Sequence, residues 1–252
     1  MTDAHYHRGG YATFLSVRER EFCFRGVHPW EAADASARRP YQDDYVVELR
    51  AALEADVHVG VGEIGLDRLK SRVIDPAQRA AFTAQLEVAA EFRRPVVLHG
   101  AKCWGEVVAA CRPYAGRIPA FLFHGFSRSG GLLPEIVALN GFVGVGAALL
   151  NDHAVNYRAL VKEIPAERLL VETDADYGCD EKLAATSAAS PAAAAKATAS
   201  AASPALAVNS AAGAVALVAT IVRKLAELRG VDVAELTAAV EANALRFVEA
   251  LA

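Results

Sequence analysis

The four cysteines of this chain, Cys23, Cys103, Cys111 and Cys179, form no CxxC pair and no close cluster. Their spacing excludes a thiolate zinc knot and a disulfide frame, and leads us to expect reduced structural thiols in a cytoplasmic protein, none of them a nucleophile. Basic excess is also lacking. Lys and Arg number 26 against 30 Asp and Glu, a net charge of -4, so the chain does not coat nucleic acid through its overall charge. Any nucleic-acid role has to rest on a local patch or on bound cations. Asp3 and His5 stand where a secretory leader needs a basic and then an apolar region, and the longest nearly uninterrupted apolar run, residues 211–222, is too short to cross a bilayer. The expectation is a soluble cytosolic chain with no membrane partner.

Alternation is what the chain does carry. Short runs of β-branched and aromatic residues recur with helical stretches between them, as βα units around a parallel sheet require. Candidate strands lie at 2–7 (TDAHYH), 22–27 (FCFRGV), 57–64 (VHVGVGEI), 95–99 (PVVLH), 120–124 (AFLFH), 141–146 (GFVGVG) and 168–174 (RLLVETD). Helices are predicted over 43–55, 75–92, 104–111, 132–140, 218–230 and 233–251. The second has the clearest signals: Asp75 can cap it, Pro76 suits its first turn, and Phe82, Leu86, Ala89 and Ala90 share a face. A length of 252 residues suits one α/β barrel domain spanning the whole chain. Residues 184–216 are rich in alanine and serine, with prolines at 191 and 204, and lack the large side chains that fix a packing. They read as a low-complexity loop or insertion after the last strand, with intermittent helix as the competing reading.

The histidines and acids fall where these runs end. His5 and His7 lie in the first, Glu63 near the end of the third, and His99, His124 and Asp174 close three others. Strand side chains alternate, so His5 and His7 point to one side and can grip one cation. Strand ends converge in a barrel, and a set of histidines and carboxylates suits zinc, manganese or magnesium. These donors exceed what one tetrahedral ion uses, whereas two ions sharing a carboxylate use them all. Taken singly, each residue has a plainer reading as a surface or hydrogen-bonded side chain. Together they are awkward as ordinary core, because buried polar groups need partners.

DAHYH (3–7), GVHPW (26–30), GEIGLD (62–67), PVVLH (95–99), FHGFS (123–127) and ETD (172–174), in this order, resemble the TatD family of metal-dependent hydrolases, part of the amidohydrolase-like TIM-barrel superfamily. The similarity resumes at RKLAELRG and VEANALRF, and GVHPW, LDRL and LHGAKCW look most like a short form of the family. The resemblance implies an α/β, TIM-like barrel holding two divalent cations and hydrolysing phosphoester bonds, as a deoxyribonuclease of the 3' exonuclease type that uses a hydroxide bridging the ions. By the same resemblance the metal ligands are His5, His7, Glu63 as the bridge, His99, His124 and Asp174. Asp174 and Glu63 are then catalytic as well, His28 meets substrate, and Asp67 and Asp3 are supporting acids.

Three departures from the family pattern stand out. Only residues 8–25 separate DAHYH from GVHPW, where long members fit a helix–strand–helix segment. The barrel is therefore expected to be distorted or one strand short near its N-terminus, unless YATFLSV (11–17) stands in. Lys102 occupies a position where long members carry an arginine-bearing segment. After ETD, the basic, asparagine-rich loop of other members is replaced by ADYGCDEKLAATS. Arg8, Arg68, Lys70, Lys102 and Arg128 lie just beyond the strand ends and are candidates for phosphate contacts, and Tyr6, Trp30, Trp104, Phe126 and Tyr177 for stacking on a terminal base. The expected partner is a small phosphoester or a single-stranded DNA end, without a stable nucleic-acid complex, acting on a monomer. Two alternatives remain: a hydrolase of a small phosphoester, cyclic ester or amide, and a catalytically silent metal-binding homologue.

Overall fold

The structure is a computed structural model that describes residues 2–8, 13–33, 45–69, 72–127, 130–176 and 211–252. Its centre is an eight-stranded sheet in sequential order: β1 (Asp3–His7), β2 (Thr13–Val17), β3 (Arg20–Arg25), β4 (Gly60–Asp67), β5 (Val96–Ala101), β6 (Phe121–Phe123), β7 (Gly141–Val145) and β8 (Leu169–Val171). From β3 to β8 every pairing is parallel, while β2 runs antiparallel to both β1 and β3. The strand expected to be missing is therefore present, supplied by 13–17. A parallel crossover needs a dozen or more connecting residues, whereas a hairpin needs two. Arg18 and Glu19, both at positive φ (49° and 63°), make that tight turn. Two successive hairpins reverse the chain twice and return β3 parallel to β1.

β8 and β1 close the barrel incompletely. Asp174 N–H donates to His5 O at 3.0 Å and His7 N–H to Ala175 O at 2.8 Å, beyond the formal end of β8. Deeper in the seam the Asp3 carboxylate takes bonds from Thr173 N–H (3.0 Å) and Thr173 Oγ1 (2.7 Å). An acid side chain thus does part of what a ladder does elsewhere.

Helices α1 (Pro29–Ala33), α2 (Tyr45–Ala55), α3 (Pro76–Phe92), α4 (Trp104–Cys111), α5 (Leu133–Ala138), α6 (Val155–Glu163), α7 (Ala211–Arg229) and α8 (Val233–Phe247) accompany the sheet. α3 starts as predicted, with Asp75 accepting from Ala77 N–H at 2.7 Å and Pro76 in the first turn. α1 and α6 are not among the helices expected from the sequence, although α6 is amphipathic, burying Tyr157, Leu160 and Val161. Residues 211–216, assigned above to the low-complexity loop, are the first turns of α7; the alanine that weakens a unique packing favours helix where α7 continues. The remainder of that expectation, 184–210, lies outside the described residues. No described helix is long and apolar enough to cross a membrane.

Period-two alternation builds two layers. In β5, Val96 and Leu98 join the core beneath the helices, while Val97 turns the other way; in β6, Phe121 and Phe123 do the former and Leu122 the latter. Val97 and Leu122 join Leu15, Phe22, Phe24, Phe142 and Leu170 in a second buried cluster inside the barrel. α8 closes it with Phe247, whose ring stacks on Phe24 (5.7 Å) and meets Phe142 edge-on (5.8 Å). Two residues further along the same strands stand His99 and His124. The polar layer therefore rests on an apolar floor.

Candidate metal centre

His5 and His7 project from β1 on one side and bring both Nε2 atoms to the carboxylates of Glu63 and Asp174. His5 Nε2 lies 3.5 Å from Glu63 Oε2 and 3.4 Å from Asp174 Oδ1; His7 Nε2 lies 3.7 and 3.4 Å from the same atoms. Two donors each about 2.1 Å from one ion at the tetrahedral angle stand about 3.4 Å apart. These spacings are long for hydrogen bonds and right for ligands around one cation. His5 is fully buried, and its Nε2, the nitrogen that faces both carboxylates, has no hydrogen-bond partner, an arrangement that an ion at Nε2 would satisfy. The residues present thus fit a divalent ion.

Glu63, buried at 4% exposure, divides its two oxygens. While Oε2 faces the β1 histidines, Oε1 meets His99 Nδ1 at 2.6 Å and His124 Nε2 at 2.7 Å. His5 and His124 stack across this division with ring centroids 4.2 Å apart. On the far side of His99, Asp67 Oδ2 accepts from Nε2 at 2.9 Å. Glu63 is not at the end of its strand as the sequence suggested. β4 runs on to Asp67, with all eight positions buried and its register against β5 irregular between Val61 and Ile64. Gly65 permits the close approach to β5, since a Cβ there would run into the carbonyl oxygen of His99.

His28 sits just before α1 with Nε2 3.3 Å from His99 Nδ1 and 3.6 Å from Glu63 Oε1. Its Nδ1 accepts from Trp30 N–H at 3.2 Å, which assigns the ring proton to Nε2. Burial lowers its pKa and keeps the ring neutral, so His28 offers a donor to the cluster rather than a lone pair. Three groupings of potential ligand atoms lie close together, His5, His7 and Asp174; His5, Glu63 and His124; and His28, Glu63 and His99, the proton on Nε2 taking His28 out of the third.

A sequence model of the family described as TatD related DNase matches residues 11–249. The chain belongs to the TatD family. As such it is a metal-dependent hydrolase acting on ester bonds, and its paired ligand groups suit two ions. The 3'-5' ssDNA/RNA exonuclease TatD of Edwardsiella piscicida is 32% identical over 180 residues, spanning 70% of this chain and 67% of that protein. The protein of the same name in Klebsiella pneumoniae is 37% identical over 153 residues, 60% of this chain and 56% of its own. Among solved structures, YJJV, a TatD homologue from Escherichia coli, superposes with a TM-score of 0.63 at 23% identity, covering 89% of this chain and 75% of its own. A TatD family hydrolase from Entamoeba histolytica reaches 0.62 at 18% identity, covering 89% and 73%. At these identities the two structures speak for the TatD fold alone.

The electrostatics of this TatD-family site are dominated by carboxylates and imidazoles that shift one another. Burial by itself would raise Glu63, but the surrounding imidazoles, His124 foremost, hold it well below the ordinary carboxylate value. Burial would lower His124 and His5; instead Glu63 holds His124 well above its usual value, and Asp174 and Glu63 raise His5 to about 9. Asp174 stands at the mouth with 53% of its side chain exposed and a left-handed backbone (φ 51°). Desolvation opposes its ionisation, yet His5 and His7 keep its pKa below the usual range.

Glu172 was not singled out from the sequence. It is fully buried, accepts from Gly125 N–H at 2.6 Å and approaches His124 Nδ1 at 3.8 Å. Strand alternation held the clue, since Glu172 lies two residues before Asp174. Gly144 makes room for it, as a Cβ there would run into the Glu172 carboxylate.

Other expected contacts lie elsewhere. Arg8 pairs with Glu21 at 2.6 Å and packs over the Tyr6 and Phe14 rings, while Tyr6, Trp104 and Phe126 are buried core. Trp30 is 38% exposed and meets His28 edge-on at 5.0 Å. Arg68 and Lys102 border the site without entering it. Lys70, Arg128 and Tyr177 lie outside the described residues.

Proposed function

We propose that this TatD-family chain hydrolyses phosphodiester bonds in nucleic acid, acting at the 3' end of a single strand. The observation that carries the reading is the division of Glu63, one carboxylate oxygen on each group of imidazoles. Support for the substrate comes from the curated relatives, whose names give single-stranded DNA and RNA and a 3'-5' direction. Trp30, the exposed aromatic beside His28 and His99, offers a face on which a terminal base can stack.

His5, His7, Asp174 and Glu63 would hold the first ion in this reading, and His99, His124 and Glu63 the second. When bound, the two cations supply water of lowered pKa and stabilise the negative charge that builds on phosphorus. Asp174, the ligand open to solvent, orients the attacking water and accepts its proton. His28 Nε2–H donates to a non-bridging phosphate oxygen. Asp67 fixes the His99 ring so that Nδ1 would face an ion, and Asp3 secures the segment after β8 that carries Asp174. The protein works in the cytoplasm, in keeping with free thiols at Cys23, Cys103 and Cys111, and acts as a monomer in this reading.

A 5'-labelled single-stranded oligonucleotide incubated with the metal-loaded chain tests the reading. It should shorten progressively from its 3' end, and chelation or Glu63→Gln should stop it. Elemental analysis showing two ions per chain, with no product from DNA or RNA, would overturn the nuclease and leave the small-ester hydrolase or the silent homologue.

A further inference from the structure

We propose that a groove beside the ligand cluster is a subsite for a second backbone phosphate of a single-stranded nucleic-acid substrate, an assignment that rests on the phosphodiester hydrolase reading above. The groove, about 330 Å³, lies where β4 and β5 end and is walled by Arg68, Lys102, Trp104, Glu106 and Leu132. Arg68 directly follows Asp67, the acid that holds His99, and Lys102 stands three residues beyond His99. Arg68 and Lys102 thus follow directly on the ends of the strands that carry Glu63, Asp67 and His99.

The Arg68 guanidinium and the Lys102 backbone are fixed in place. Arg68 N–H donates to Ala101 O at 2.9 Å, and the guanidinium donates to Lys102 O from Nε (3.0 Å) and Nη2 (2.5 Å). That clamp holds Lys102 at φ 57°, a left-handed conformation that a residue with a side chain keeps only where its surroundings determine it. Nη1 of Arg68 meets Glu106 Oε1 at 3.1 Å. Three of the five guanidinium N–H groups are thereby used, and the rest remain for a ligand. The Lys102 ammonium makes no ion pair among the described residues.

Arg68 answers the charge of Glu106, so the surplus positive charge in the groove is that of Lys102. Gly100 shapes the wall, since a Cβ there would run into the Trp104 indole; without one, Trp104 packs on β5 and brings the first turn of α4 to the groove. A singly charged phosphodiester suits this site: lysine acts as a point charge, arginine as a fork, and Leu132 offers an apolar surface to the sugar. The subsite holds the chain and takes no part in bond breaking.

The test compares the metal-loaded chain with Lys102→Gln on a single-stranded hexadeoxynucleotide and on bis(p-nitrophenyl) phosphate, which has one diester and no neighbouring phosphate. For the hexamer KM should rise about fivefold, the size expected of an exposed charge contact, with kcat unchanged and Lys102→Arg restoring it. The small diester should be unaffected. A hexamer carrying an uncharged methylphosphonate next to the scissile linkage should cost the wild type the same factor and Lys102→Gln nothing further. Equal losses on both substrates, no loss on the hexamer, or additive losses with the methylphosphonate overturn the subsite. If neither substrate is turned over, the hydrolase reading fails separately. Fluorescence anisotropy of a labelled hexamer then decides the subsite: wild type must bind more tightly than Lys102→Gln, and equal affinity overturns it.

Discussion

Asp67 Oδ2 accepts a 2.9 Å hydrogen bond from His99 Nε2, and Nδ1 of the same ring points at Glu63 Oε1, 2.6 Å away. The outer acid thus selects which nitrogen is available to an ion. Asp67→Asn should weaken the second ion 10- to 100-fold, in the range of lost outer partners of ligating histidines, and leave the first nearly untouched. Calorimetric titration resolving the two binding events checks this; equal weakening of both would show that Asp67 acts on the whole fold.

Glu63 is shared by both groups of imidazoles, so Glu63→Gln should affect both ions. Metal content should fall below two per chain, and activity by more than the roughly 100-fold that loss of a supporting partner costs. Elemental analysis alongside steady-state rates measures this. Two tightly held ions in the variant would remove Glu63 from the bridge.

Metal affinity should rise with pH. His5 is raised to about 9, so near neutrality the metal-free ring is protonated and must lose that proton before it ligates. Each displaced proton gives about a tenfold gain per pH unit, up to the folded pKa. The same shift has the opposite sign for the metal-free fold: its stabilising contribution is complete below the ordinary value of 6.5 and is lost as pH rises through about 9. Titrations in buffers of different ionisation enthalpy should detect proton release on metal binding near pH 7, from His124 as well as His5; no release would show that both rings are already neutral in the metal-free chain.

Asp3→Ala should open the β8–β1 seam. The substitution leaves Thr173 N–H and Oγ1 without their partner, at a cost of about 1–3 kcal/mol for buried groups. Hydrogen exchange at the Thr173 amide should accelerate, and the denaturation midpoint should fall. Unchanged exchange would show that backbone bonds alone hold the seam.

Phe247→Ala should lower stability by about 3–5 kcal/mol, the usual cost of emptying a large aromatic site, because the ring closes the barrel floor on Phe24 and Phe142. Ions per folded chain should not change, since the Phe247 ring packs on Phe24 and Phe142 rather than on a ligand. Chemical denaturation with parallel metal analysis separates the two effects.

What the sequence by itself determined was mostly a matter of local period and order. Alternation in PVVLH and FLFH settles that an imidazole shares its side of the strand with Val97 or Leu122, and the apolar partners on the other side must be buried. The same rule pairs His5 with His7. Asp75 and Pro76 mark the start of α3, because caps depend on neighbours in the chain. Tertiary structure decided the rest. Whether 13–17 is a strand depends on partners on both sides, and its short connections argued against a parallel unit without revealing the double hairpin. That Glu63 lies inside a longer strand, with its oxygens divided between two sets of histidines, follows from the irregular register of β4 on β5. The same holds for Glu172, whose place behind His124 exists because β6 and β8 flank the glycine-containing β7. Spacing along a strand is fixed by covalent geometry, but which strands meet, and at what register, is settled only when the barrel packs.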